Sequence, residues 1–188
     1  LPQDQAVELQ TWVLKHCEEL GDRFVILDVP QQLSAITHHD KLKQQFTLLQ
    51  ITGVNGVLYF PWIKVMATGS EERLIPPCGH IAGIYARSDS ATGPFKAPAN
   101  EEIFGVYDLA SDISHDDQQQ LNPYGINCIR AFPGRGLRVW GARTLSDEAE
   151  WRYINVSRLF ITVRRWIDAN MGWAVFEPNS PRLWMQIT

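Results

Sequence analysis

A few acid, imidazole and hydroxyl side chains could do chemistry in this chain. Asp28 ends a short apolar run, Ser88 lies near His80 in the sequence, and His38 and His39 are adjacent. A carboxylate, an imidazole and a hydroxyl can together perform acyl transfer, because the imidazole takes the serine proton while the carboxylate orients the ring. However, His80 lies in the string GHIAG, and the sequence contains no G-x-S-x-G or comparable serine motif. We therefore predict that the protein is not an enzyme, and we keep a serine hydrolase as the alternative.

Two polar strings resemble metal-binding clusters, namely His38-His39-Asp40 and His115-Asp116-Asp117. Adjacent residues on a helix do not face one another, and neither string has a third ligand at a useful spacing. Cys17, Cys78 and Cys128 form no C-x-x-C pair, which argues against a zinc ribbon or a disulfide framework. We predict solvated polar turns, reduced and mostly buried thiols, and no metal or other cofactor.

The charged residues are unevenly distributed along the chain, whose net charge is −4. Residues 1–129 contain 16 acidic and 8 basic residues, whereas residues 130–188 contain 5 acidic and 9 basic residues. The overall acidity argues against a nucleic-acid partner. No apolar run approaches the ~18 residues that a membrane span needs. Two interpretations stay open: both faces are solvated, or they join neighbouring copies head to tail into rings or filaments.

The second interpretation selects candidate residues for an interface between subunits or with another protein. The candidates are one apolar residue and nine charged residues: Ile161, Arg143, Arg158, Arg164, Arg165, Glu101, Glu102, Asp112, Asp116 and Asp117. The arginines could equally be solvated or paired within the chain.

The N-terminal third predicts a helix, a strand, a helix and a strand in succession. The first helix has Asp4 as its N-cap and Gly21 at its C-terminus, and its predicted core stripe is Ala6, Leu9, Val13, Cys17 and Leu20. Residues 24–29 form a continuously apolar strand, and residues 33–49 have mixed helical character. The second strand is predicted over residues 57–65, with a bend, bulge or sheet edge at Pro61. This order predicts a parallel βαβ unit.

Residues 76–100 are rich in glycine, alanine and proline, which predicts a structural rather than a catalytic role. Pro76 and Pro77 begin a predicted helix in which Gly79 and Gly83, with Ala82 and Ala86, leave a flat face for close packing, which we place within the subunit. A loop stiffened by Pro94 and Pro98 and ending at Asn100 follows.

The C-terminal third contains the clearest helical pattern. Residues 153–171 place Val156, Leu159, Phe160, Val163 and Ile167 at helical spacing, which predicts the face that meets the core. The opposite face carries Arg158, Ile161 and Arg165, with Ile154 beside them, so the helix is either an ordinary surface helix or one clamped between the core and a partner. A strand is predicted over residues 137–144, with Trp140, Gly141 and Trp151 as structural residues. Gly134-Arg135-Gly136 is too short a match to the G-x-x-x-x-G-K phosphate loop, and the family resemblance described below implies a tight turn there. A strand at residues 174–177 and a helix from residue 181 complete the pattern.

Five strings occur in one order along the chain: PWIKV, PPCGHIAGIYARSDSATGPFKAPANEEIFGV, LNPYGINCIRAFPGRGLRVWGARTL, EWRYINVSRLF and FEPN. In this order they resemble the contractile phage tail sheath protein family, which includes the sheaths of phage-like contractile injection systems. The resemblance covers residues 57–184. It implies an α/β fold with a mixed, partly parallel sheet flanked by helices. Residues 1–144 would be the sheath core domain, and residues 145–188 the beginning of a C-terminal region packed on the same core.

The resemblance also implies a function. The protein would be a structural subunit that polymerises helically around an inner tube and contracts to drive the tube through a target membrane, without a cofactor. Its partners would be copies of itself, the tube protein and a baseplate, with no nucleic acid and no direct membrane insertion. It would be made in the bacterial cytoplasm and reside in a virion tail or an injection particle. Family members continue beyond the equivalent of Thr188 and carry terminal arms, which we expect this stretch to lack. Because the family core is sometimes described as subtilisin-like, the rival hydrolase would have a subtilisin-like fold.

Overall fold

A computed structural model describes residues 3–33, 40, 55–67 and 71–187. The helices are α1 (Gln3–Leu20), α2 (Cys78–Ala91), α3 (His115–Leu121), α4 (Ile154–Asn170) and α5 (Pro181–Ile187). The strands are β1 (Val25–Asp28), β2 (Gly56–Phe60), β3 (Ile63–Met66), β4 (Glu72–Ile75), β5 (Asp108–Leu109), β6 (Ile126–Phe132) and β7 (Gly136–Trp140). The predicted helix at residues 33–49 falls almost entirely outside the described residues.

The larger sheet has the strand order β1-β2-β6-β7. The first three strands are parallel, with Val25 opposite Gly56 and Leu58 opposite Ile126. β7 runs antiparallel to β6 and is joined to it through a turn at Gly134, whose φ is +70°. The mixed, partly parallel sheet predicted from the sequence is confirmed, and so are the parallel β1–β2 pair and the turn.

The predicted strand over residues 57–65 is two strands that belong to different sheets. β2 ends at Phe60 in the larger sheet, and β3 begins at Ile63 in a smaller antiparallel sheet of order β4-β3-β5. Pro61 lies between them and has no N–H to donate to a ladder, so neither sheet can continue through it. The bend was predicted correctly, but the single strand was wrong.

Alternation along β2 divides the core into two layers. Leu58 and Phe60 pack with Leu14 of α1, whereas Val57 and Tyr59 pack with residues of α2 and Ile154 of α4. Successive side chains of a strand point to opposite faces, which explains this division. Helices therefore cover both faces of the sheet. Along α1 the deepest contacts are made by Leu14 and Cys17, while two members of the predicted stripe, Leu9 and Leu20, are exposed.

The predicted core face of α4 is wrong. Its buried residues are Ile154, Ser157 and Ile161, whereas Phe160 and Val163 are 54% and 45% exposed. Each of the two opposite faces of this helix carries enough apolar residues to pack against a core. The face that packs against the sheet is the one that also carries Arg158.

The outer side of β7 is covered by residues 100–103. Asn100 N–H donates to the Val139 carbonyl at 2.8 Å, Val139 N–H donates to the Glu101 carbonyl at 3.0 Å, and Ile103 N–H donates to the Leu137 carbonyl at 3.0 Å. Asn100 adopts a positive φ of +59°, which an Asn tolerates better than most residues.

The C-terminal segment differs from the sequence pattern in one place. Residues Gly172–Ala174 form a 3-10 turn, and residues 174–177 form no strand, which corrects the prediction. Helix α5 is confirmed.

Candidate functional site

The carboxyl group of Asp28 is used to begin helix α2. Cys78 N–H donates to Asp28 Oδ1 at 2.9 Å, directly after the Pro76-Pro77 pair that starts the helix as predicted. An acidic group at this position satisfies a free N–H and complements the helix dipole. Burial nevertheless raises the pKa of Asp28 to about 6, and the hydrogen bond from Cys78 lowers it in part. Asp28 is therefore engaged by a backbone amide.

The other members of the hydrolase alternative do not form a triad within the described residues. Ser88 is buried, and its hydroxyl has no hydrogen-bond partner there. His80 borders a cleft of about 270 Å³ that Gly83, Arg87 and Phe104 also line. His38 and His39 lie outside the described residues.

The small residues of α2 do not pack against another part of this chain that the structure describes. Gly79, Ala82, Gly83 and Ala86 are all exposed, and a Cβ added at Gly79 or Gly83 would meet no atom within 4 Å. Within the described residues, the predicted close packing against these small residues is therefore not found. The buried side of this helix carries Ile81, Ile84, Tyr85 and Ser88.

Arg158 joins α4 to α2. Its Nη1 donates to Asp89 Oδ1 at 3.0 Å, and its Nη2 donates to Asp89 Oδ2. The guanidinium also lies over the Tyr85 ring, 4.5 Å from the centroid, and the Tyr85 hydroxyl is 3.0 Å from that of Tyr59. Burial raises the pKa of both tyrosines, so these hydroxyls stay protonated. Arg158, a predicted interface residue, is thus bound inside the subunit.

The neighbouring candidates on α4 differ from one another. Arg164 Nη1 donates to the Gly21 carbonyl at 2.8 Å, where a cation complements the C-terminus of α1. Ile161 is 9% exposed and belongs to the core. Arg165 is exposed and has no carboxylate within 4.0 Å among the described residues.

Most of the acidic candidates also have partners within the chain. Glu101 binds Lys96 and Arg87, and these cations lower its pKa, Lys96 most. Glu102 Oε2 lies 4.0 Å from Arg138 Nη2, and the backbones of the two residues form an isolated antiparallel β-bridge. 

The remaining acidic candidates lie around the start of α3. Asp117 completes a capping box with Ser114: its N–H donates to Ser114 Oγ at 3.1 Å, and its carboxylate accepts from Ser114 N–H at 2.9 Å. Asp112 and Asp116 are exposed, and neither is ion-paired in the described part of the chain. The described residues contain no group of three potential metal ligands, and His115 instead contacts Gln119 at 2.8 Å.

The backbone of Arg143 is held by the buried side-chain amide of Asn127. Asn127 Oδ1 accepts from Arg143 N–H at 2.8 Å, and Asn127 Nδ2 donates to the Arg143 carbonyl at 2.7 Å. Gly141 permits this approach, because a Cβ there would lie 2.6 Å from Asn127 Oδ1. Asn127, Arg152 and Asp89 escaped the sequence analysis as site residues. All three occur in the quoted strings, which was the available signal.

The predicted structural residues have identifiable contacts. Trp140 packs on Phe132 with ring centroids 4.6 Å apart, and Trp151 meets Phe160 edge to face at 5.1 Å. Pro98 is buried, and Asn100 Oδ1 accepts from Arg135 Nη2 at 2.6 Å. None of the helices that the structure describes is long and apolar enough to cross a membrane.

The described residues thus form an α/β fold in which helices cover both faces of the larger sheet and ion pairs join some of its elements. The family comparison specifies the class. Residues 2–145 match the model of the phage tail sheath protein central domain. The chain belongs to the phage tail sheath protein family.

Individual relatives agree with this assignment. The tail sheath protein of Vibrio phage KVP40 is 33% identical over 113 residues, which are 58% of this chain and 17% of that protein. The helical sheath of the anti-feeding prophage (AFP) in its contracted state is similar, with 42% identity and a TM-score of 0.63 over 71% of this chain and 37% of the other. A chain of the AFP baseplate structure has 33% identity and a TM-score of 0.72 over 95% of this chain and 46% of the other. The chain thus spans less than half the length of these relatives.

Proposed function

We propose that this chain forms the central part of a contractile sheath subunit, which polymerises helically around an inner tube and contracts to drive the tube through a target membrane. The match of residues 2–145 to the sheath central domain carries the proposal. The 42% identity to an AFP sheath in its contracted state supports contraction as the working motion.

The subunit works without catalysis in this proposal. Contraction draws on the difference in packing between two subunit lattices, a difference that rigid-body movement of whole subunits can release. The use of Asp28 as a helix cap supports this view, because that carboxylate is engaged by Cys78 N–H.

The proposed partners are other copies of the subunit, a tube protein and a baseplate, in a virion tail or a phage-like injection particle made in the bacterial cytoplasm. The similarity to chains of an AFP sheath and an AFP baseplate structure supports other copies of the subunit and a baseplate as partners. Among the predicted interface charges, Arg143, Arg165, Asp112 and Asp116 are the best candidates, because the described part of the chain does not pair them.

Negative-stain electron microscopy tests the proposal directly. The full-length protein, purified with and without its tube protein, is expected to form helical tubes or contracted sheaths. A protein that stays monomeric at high concentration in both preparations would contradict the proposal. A serine-directed covalent probe tests the hydrolase alternative, and we expect no labelling of Ser88.

A further inference from the structure

A cleft that contains two arginines lies between the turn before β6 and the loop after β7. Its volume is about 320 Å³, and it is lined by Pro123, Gly125, Arg143, Thr144, Ser146 and Arg152. Asp147 also borders it, so the cleft contains two cations and one anion.

The backbone of the cleft is fixed on both sides. Asn127, which is fully buried, hydrogen-bonds the N–H and the carbonyl of Arg143. Thr144 N–H donates to the Arg152 carbonyl at 2.9 Å, and the Thr144 hydroxyl donates to the Trp151 carbonyl at 2.7 Å. A partner that binds here would therefore not have to order the main chain, which is one of the usual costs of association.

The two guanidinium groups have no ionic partner in the described part of the chain. Within it, no carboxylate oxygen lies within 4.0 Å of Arg143 or Arg152. The planar fork of an arginine matches a carboxylate with two parallel hydrogen bonds. The chemistry of the cleft thus favours a carboxylate-bearing partner.

The same molecule presents exposed carboxylates outside the cleft. Asp112 and Asp116 lie at the start of α3 and are not ion-paired within the described residues, whereas Pro123 and Gly125 of the cleft follow the end of that helix. Along the sequence, the carboxylates and this part of the cleft are separated by α3, a helix about 10 Å long. Two different, complementary patches on one subunit allow a head-to-tail contact that repeats from copy to copy.

We propose that the cleft of Arg143 and Arg152 binds the carboxylates of Asp112 and Asp116 from a second copy of this chain. The inference rests on the proposed function, because it supplies a contact between sheath subunits.

Charge exchange in the full-length protein tests the contact. The variant Arg143→Glu/Arg152→Glu and the variant Asp112→Lys/Asp116→Lys should each raise the critical concentration for sheath assembly about tenfold or more, which corresponds to ~1.4 kcal/mol. The variant with all four substitutions should recover assembly, because the charges are again complementary. The matched control is Lys15→Glu/Arg182→Glu, which changes the net charge as much as the cleft variant at two exposed positions elsewhere.

The outcomes separate the two proposals. A wild-type protein that never assembles would overturn the proposed function, whereas a wild-type protein and a cleft variant that assemble alike would overturn only this contact. Loss of assembly without recovery in the fourfold variant would overturn Asp112 and Asp116 as the occupants. Circular dichroism checks that each variant is folded, and the neutral variant Arg143→Gln/Arg152→Gln, which should also weaken assembly, keeps the test decisive if the glutamates disturb the fold.

Discussion

Arg158 and Asp89 form a two-pronged ion pair that connects helices α4 and α2. Their side chains are only 15% and 30% exposed, so the pair is largely withdrawn from water. Because the guanidinium also lies on Tyr85, one side chain links the two helices that cover the same face of the sheet. This contact gives Arg158 a role within the subunit that a surface arginine would not have.

Replacing Arg158 should destabilise the folded subunit. Arg158→Met leaves the Asp89 carboxylate partly buried without its cation, and we expect a loss of about 2 kcal/mol or more in the free energy of unfolding. Arg165→Met on the exposed side of the same helix should change it by less than about 0.5 kcal/mol. Urea unfolding measures the free energy of unfolding of both variants. A loss for Arg158→Met as small as that for Arg165→Met would show that the pair contributes nothing. For the same reason, charge reversal at Arg158 would disturb the fold itself, whereas reversal at Arg165 should affect assembly alone.

Two glycines should respond to alanine in opposite directions. Gly141→Ala places a methyl group 2.6 Å from Asn127 Oδ1 and 3.0 Å from Asn127 Cα, so we expect a loss of roughly 1–3 kcal/mol. Gly83→Ala meets no atom within 4 Å in the middle of α2, and the better helix propensity of alanine should raise stability by about 0.5–1 kcal/mol. Thermal unfolding distinguishes the two signs, and a neutral Gly141→Ala variant would contradict the close approach.

The stability of the fold should decrease as pH rises through the titration of Asp28. Burial raises its pKa from 3.8 to about 6. The folded state therefore binds the proton more tightly than the unfolded state, and this contribution, complete below about pH 4, is lost as pH rises through about 6. Asp28→Asn retains an oxygen that accepts from Cys78 N–H, so it should be more stable than wild type by roughly 1–3 kcal/mol at pH 8.

Urea unfolding at about pH 4, 6 and 8 tests this dependence. The advantage of Asp28→Asn over the wild-type protein should shrink toward pH 4. An advantage that does not change with pH would rule out Asp28 as its source.

The two faces of α4 should differ in their tolerance of truncation. Ile161→Ala removes a buried side chain, and we expect a cost of about 2–3 kcal/mol. Val163→Ala, at a position that is 45% exposed, should cost less than about 1 kcal/mol in the isolated chain. Chemical denaturation of the two variants compares the faces, and a larger cost at Val163 would restore the face predicted from the sequence.

The sequence predicted the elements of this fold better than their contacts. The parallel β1–β2 pair was predictable because the order strand, helix, strand along residues 24–65 implies a crossover between parallel strands. Strand β6 was missed because Asn127 and Arg130 interrupt its apolar pattern, although Asn127 is fully buried. Periodicity identified α4 but could not choose between its two apolar faces, since that choice depends on which one meets the sheet.

The candidate site was less predictable for a similar reason. An arginine in a sequence does not show whether its partner is in the same chain. Arg158 finds Asp89 across 69 positions and Arg164 finds Gly21 across 143, and only the tertiary fold brings these groups together.

The segment at residues 100–103 protects one edge of the larger sheet. An exposed sheet edge is a template on which a strand from another chain can pair and start aggregation. Here residues 100–103 already hydrogen-bond to the amide and carbonyl of Val139 and to the carbonyl of Leu137. A strand from another chain would therefore have to displace this segment first. In the isolated chain, this edge of the sheet is thus protected against pairing with a strand of another molecule.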